Sequence, residues 1–127
     1  LGICLGMQLI LSESHEDGLF NGLNWINGKV VKIPTKSDLI KIPHMGWNDV
    51  DFSSESKLFK NIATNSTFYF VHSYHVVPKD KKIATSKCFH GSDIVSSIEF
   101  ENISATQFHP EKSHDPGIKL LKNFINS

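Results

Sequence analysis

Polar and apolar residues interleave over Lys29-Val30-Val31-Lys32-Ile33, just ahead of Pro34, and that short period predicts a β-strand with one face in solvent. The run Thr67-Phe68-Tyr69-Phe70-Val71-His72-Ser73-Tyr74 is dense in aromatic and β-branched residues, which predicts a strand buried on both faces. Further strands are expected within "KIATSKC", "DIVSSIEF" and "ISATQF". Two segments carry a helical pattern instead. Met7 to Glu13 predicts a short buried helix, and the tail "DPGIKLLKNFIN" places Ile118, Leu121 and Ile125, with Leu120 and Phe124, along one apolar face. Gly18, Gly22 and Gly28 break the path into a loop. "IPHMGWNDVDF" reads as a Pro- and Gly-punctuated loop running into a short strand, and "SSESKLFKNI" as a loop with a helical turn. No repeat or low-complexity linker interrupts this order, so the fold class is α/β.

Length and charge narrow the picture. A chain of 127 residues with 39% hydrophobic content suffices for one core and not for two, so one domain, or a piece of one, is expected. Lys and Arg total 13 against 13 for Asp and Glu, with no basic stripe. Nucleic acid and anionic membrane surfaces are therefore not expected as partners. The apolar runs are too short to span a bilayer. Two cysteines, Cys4 and Cys88, form neither a C-x-x-C pair nor a disulfide framework, and a cytoplasmic location is the expectation.

Cys4 stands between Gly2 and Gly6 in "GICLGMQ". A nucleophile raised on a sharp strand-to-helix turn needs small neighbours two residues away on each side, and G-x-C-x-G has that spacing. The turn also places the cysteine at a helix N-terminus, where backbone N–H groups and the helix dipole favour a thiolate. A small core residue in a Gly-rich turn fits the motif equally well, so a second feature must decide. "QFHPEKS" supplies it. In an extended chain His109 and Glu111 project to the same side, and Pro110 holds His109 extended, so the carboxylate can reach the imidazole from behind. His109 then takes the cysteine proton and returns it to the leaving group, while Glu111 fixes the tautomer. His44, His72 and His75 lack metal-ligand spacing, and no metal is expected. Cys88, near His90, reads as a packed strand residue. Trp25 and Trp47 fit either a core or an interface.

These motifs resemble class I (triad-type) glutamine amidotransferases, which hydrolyse glutamine to glutamate and ammonia. "PHMGWN" at 43–48, "YFVHSYH" at 69–75 and "QFHPEKS" at 107–113 resemble the glutaminase subunits of imidazole glycerol phosphate synthase within that class. The resemblance implies a flavodoxin-like mixed sheet with flanking helices. It also implies a Cys4–His109–Glu111 triad, an oxyanion donor in the backbone N–H of Leu5, and glutamine held by Gln8 and the chain around Ser73 and Tyr74. Trp47, Asn48 and Lys112 would face a (β/α)8 cyclase that closes an imidazole ring in histidine biosynthesis. No cofactor is implied. Family members carry strands, helices and an oxyanion loop before the elbow, whereas this chain opens inside the nucleophile strand at Leu1. Residues 1–127 are therefore expected to be the C-terminal portion of one amidotransferase domain, incomplete at its N-terminus and inactive alone. A paralogue feeding ammonia to a barrel in surface-sugar synthesis fits the same motifs, and so does a non-catalytic interaction subunit that keeps the fold.

Overall fold

The computed structural model describes residues 1–127. In chain order the elements are β1 (Gly2–Ile3), α1 (Leu5–Leu9), β2 (Leu11–Ser14), β3 (Phe20–Asn21), β4 (Ile26–Lys32), β5 (His44–Asp49), β6 (Asp51–Phe52), β7 (Thr67–His72), β8 (Tyr74–Pro78), β9 (Ala84–Phe89), β10 (Asp93–Phe100), β11 (Ile103–Thr106) and α2 (His114–Ile125). They form the expected α/β arrangement, with the strands divided among three sheets. One has the order β1-β11-β10-β9-β6, a second β3-β2-β4-β8, and β5 pairs with β7 alone. Pairing is mixed: β1 runs parallel to β11 and β2 parallel to β4, the other neighbours being antiparallel. No helix is long and apolar enough to cross a membrane.

Four elements differ from the sequence-based reading, each for a packing reason. The helix expected over Met7 to Glu13 ends at Leu9 and gives way to β2. One and a half turns of helix have little stability of their own, and pairing with β4 buries Leu11 completely. The loop expected in "IPHMGWN" is already strand at His44, in register with β7 from His44↔His72 to Asp49↔Thr67. The aromatic run does not form one strand buried on both faces. It breaks at Ser73 into β7 and β8, which join different sheets. Along β7 burial alternates, with Phe68, Phe70 and His72 inside and Thr67 exposed. The C-terminal helix buries Gly117 and Leu120, whereas Ile118 and Ile125 are 51% and 77% exposed. A Cβ on Gly117 would lie 1.9 Å from the Pro110 carbonyl oxygen. That close approach fixes which side of α2 faces inward.

Two apolar clusters flank the strands. One gathers Phe59, Phe68, Phe70 and Phe108 with Leu120 of α2, and the other packs Met7, Leu11, Val30 and Ile98 under α1. Phe68 and Phe108 have ring centroids 4.3 Å apart, and Phe70 meets Phe108 edge-on at 5.6 Å. This aromatic floor lies immediately before His109 in the chain and stiffens the turn that carries it. Trp25 is 59% exposed and belongs to neither cluster.

Candidate active site

Cys4 and His109 leave the same ends of two adjacent parallel strands. Gly2 and Ile3 pair with Ala105 and Thr106, Cys4 follows β1 directly, and the Cys4 N–H donates to the Thr106 carbonyl at 2.8 Å. The elbow itself is strained: Cys4 has φ 52° and ψ −106°, a conformation natural only to glycine. Gly2 is required for it, since a Cβ there would meet Gly6 C at 2.9 Å and Met7 N at 3.0 Å. Gly6 is not required in the same way, because a Cβ at that position meets nothing within 4 Å. The collision argument from the motif therefore holds on one side of the cysteine only.

The turn carrying His109 is tied down by a closed set of bonds. His109 N–H donates to Tyr69 O at 2.9 Å, Tyr69 N–H donates to Ser113 Oγ at 3.0 Å, and Ser113 Oγ donates to His109 O at 2.6 Å. Pro110 opens the short 3₁₀ turn Pro110–Lys112, which brings the Glu111 carboxylate to 2.6 Å from His109 Nδ1. Nδ1 therefore carries the ring proton and Nε2 is left as a free acceptor, the arrangement a general base requires. The His109 side chain is 18% exposed and that of Glu111 45%.

The resting sulfur is not bonded to His109. Its thiol points toward the Val71 carbonyl at 3.9 Å, and it receives a bond from Gln107 Nε2 at 3.7 Å. Burial raises the Cys4 pKa and outweighs the lowering by the Leu5 N–H and Gln107; Glu111 raises it further and Lys112 lowers it. The helix N-terminus expected to favour a thiolate is only five residues long, and desolvation overrides it. Cys4 is thus a protonated thiol at neutral pH and needs a base to become a nucleophile. Cys88 is buried, its thiol pushed up to about 12 by burial first and Asp93 second.

The remaining expected residues fall in different places. The Leu5 N–H lies against the sulfur. Gln8 is 8% exposed; it turns its amide inward, Nε2 donating to Tyr74 O at 3.1 Å and Gln107 Oε1 at 3.2 Å. Ser73 forms the bend between β7 and β8, its carbonyl accepting from Ile33 N–H, and Tyr74 opens β8. Trp47 is 48% exposed, stacked on His114 at 5.0 Å, and Lys112 is exposed. Asn48 is half-buried and donates to Phe89 O at 2.9 Å and to the buried His44 Nε2 at 3.1 Å. Gln107 and Ser113 were not foreseen. The extended alternation expected to bring Glu111 to His109 is not what is found: β11 ends at Thr106, and the contact is made by the 3₁₀ turn that Pro110 opens.

A strained cysteine elbow beside a carboxylate-held histidine, on adjacent parallel strands, defines the class. The family described as glutamine amidotransferase class-I matches residues 1–127, and the chain belongs to that family. Among curated proteins it is 54% identical over 125 residues to "Imidazole glycerol phosphate synthase subunit HisH" of Chlorobium chlorochromatii, covering 98% of this chain and 61% of that protein. It is 46% identical over 126 residues to the protein of the same name from Pelagibacter ubique, covering 99% of this chain and 61% of that protein. The chain thus spans about three fifths of the length of these relatives. Among solved structures, a putative GMP synthase subunit from Thermoplasma acidophilum shares the fold. Its TM-score is 0.70 at 23% identity, covering 98% of this chain and 54% of that one.

Proposed function

We propose that the protein is the glutaminase subunit of an imidazole glycerol phosphate synthase, hydrolysing glutamine and passing ammonia to a cyclase in a cytoplasmic heterodimer. The observation that carries the reading is the placement of Cys4 one residue beyond β1 with the His109–Glu111 pair, bonded at 2.6 Å, just beyond the neighbouring β11. The relatives' shared name supports the choice of partner. In this reading His109 Nε2 removes the thiol proton and Cys4 Sγ attacks the side-chain amide carbon of glutamine. The Leu5 N–H stabilises the oxyanion, and the tetrahedral adduct collapses to a glutamyl thioester as the imidazolium gives its proton to departing ammonia. Water, deprotonated by the same imidazole, then releases glutamate and restores the thiol. Glu111 keeps the imidazole in the working tautomer and stabilises its charged form. Gln8, with both amide protons committed inward, offers Oε1 to the substrate's ammonium group.

Ammonia must reach the cyclase unprotonated, so the two chains have to enclose the path between them. Exposed Trp47 and Lys112, with Met45 exposed on the same strand as Trp47, are the contacts proposed for that partner. The test is Cys4→Ala in the full-length protein assembled with its cyclase. Glutamine-dependent synthesis should vanish while synthesis from added ammonia continues. Loss of both activities from an intact complex would refute the assignment.

A further inference from the structure

The nucleophile is the inner end of a continuous run of hydrogen bonds whose outer end lies on β5. Asn48 Nδ2 donates to Phe89 O at 2.9 Å and to His44 Nε2 at 3.1 Å. His44 Nδ1 lies 2.8 Å from His72 Nε2, and His72 Nδ1 lies 2.8 Å from Tyr74 O. Tyr74 O also accepts from Gln8 Nε2, Gln8 donates its other proton to Gln107 Oε1, and Gln107 Nε2 donates to Cys4 Sγ at 3.7 Å.

The direction of every bond is forced. Phe89 O and Tyr74 O are carbonyls and can only accept, which orients both the Asn48 and the Gln8 amides. Asn48 therefore presents a proton to His44 Nε2, so His44 must carry its own proton on Nδ1. His72 Nε2 must then be bare and its Nδ1 protonated, as Tyr74 O demands from the other end. Both imidazoles are buried, at 4% and 6% exposure. Burial, together with the neighbouring histidines, holds His44 at about 3 and His72 at about 4, so both are neutral and no step of the chain is ambiguous. His44 and His72 are direct cross-strand partners on β5 and β7.

We propose that Gln107 is a positioning residue for the Cys4 thiol, and that the Asn48–His44–His72–Tyr74–Gln8–Gln107 chain couples the geometry of β5 to the nucleophile. The proposal deepens the glutaminase reading and rests on it for the role of Cys4. The outer end lies on the strand whose Met45 and Trp47 side chains are exposed, so displacement of β5 by a docked partner shifts Asn48 and each bond inward from it. The His44–His72 and Gln8–Gln107 links are buried, and a satisfied network in such surroundings is rigid, so movement at one end is passed to the other.

The test uses the full-length protein, with and without its cyclase, and follows the pH dependence of Cys4 alkylation by iodoacetamide. Gln107→Leu removes the N–H that favours a thiolate, and the alkylation midpoint should rise by about one pH unit. Glu111 and Lys112, the charged groups that act on the sulfur, are unchanged, as is His109. Asn48→Asp replaces both donors by acceptors and should also move the midpoint, whereas Asp49→Asn, exposed on the same strand, should not. An unmoved midpoint in Gln107→Leu overturns the positioning role, and one in Asn48→Asp overturns the coupling. Nitrogen-15 NMR of the imidazoles in the unmutated protein decides the matter without a variant. Both His44 and His72 should show protonated Nδ1 and bare Nε2, and the opposite tautomer at either breaks the chain. Alkylation reads the thiol whether or not glutamine turns over, so absent turnover would sink the functional reading and leave this one standing.

Discussion

Acid should unfold this protein through the two histidines that link β5 to β7. His44 and His72 titrate at about 3 and about 4 in the folded state, with burial the leading cause in both, against about 6.5 in an unfolded chain. Between those limits the unfolded state binds more protons than the folded one, so stability falls as pH falls. The loss begins near pH 6.5 and continues down to the folded values. At pH 5 each histidine accounts for about 2 kcal/mol, or about 4 kcal/mol together relative to pH 7.5. A typical domain has only about 5–15 kcal/mol in total. His75, lowered by its own burial, acts in the same direction. The charge has nowhere to go: Nε2 of each ring is already an acceptor, from Asn48 and from His44 respectively, and protonating it sets donor against donor. Urea unfolding of the full-length protein at pH 7.5, 6.5, 5.5 and 5.0 checks the slope, which should reach about 2–3 kcal/mol per pH unit below pH 6. Replacing His44 with asparagine should remove about half of it. A free energy of unfolding that is flat between pH 7.5 and 5 would refute the assignment of both rings as buried and neutral.

Gly117→Ala places a methyl group 1.9 Å from the Pro110 carbonyl oxygen. It should cost about 1–3 kcal/mol by denaturant unfolding and lower kcat as well, because the displaced turn carries His109. Glu111→Gln should leave folding intact and depress glutamine hydrolysis by about 10²-fold or more, since an amide can present its proton to Nδ1 and stabilise the wrong tautomer. Steady-state kinetics on the cyclase complex would show this as a fall in kcat with little change in KM.

The parts of the site legible in the sequence are those governed by local rules. The G-x-C-x-G spacing anticipates the elbow, and the His-Pro-Glu order anticipates the 2.6 Å contact at Nδ1, although a 3₁₀ turn and not an extended chain makes it; both depend only on a few neighbouring residues. What the sequence hid depends on pieces far apart in it. The Met7 to Glu13 helix is shortened by pairing between β2 and β4, and the face of α2 is set by the carbonyl of Pro110. Asn48 reads as a loop residue, yet it lies on β5 and its amide is bonded to Phe89 O and His44 Nε2. The thiol's raised pKa follows from how deeply the folded chain buries the sulfur, which no motif encodes.

The dihedral angles at Cys4 also bear on how such a protein ages in evolution. A side chain held at φ 52° and ψ −106° works against the fold by about 1–3 kcal/mol, and glycine would relieve that strain. Stability alone therefore favours losing the nucleophile, and only selection for turnover retains it. In a gene copy released from that selection, glycine is the replacement expected first at this position. The residue found at the elbow becomes a record of whether a lineage still uses the thiol: cysteine where it does, glycine where the fold has outlived it.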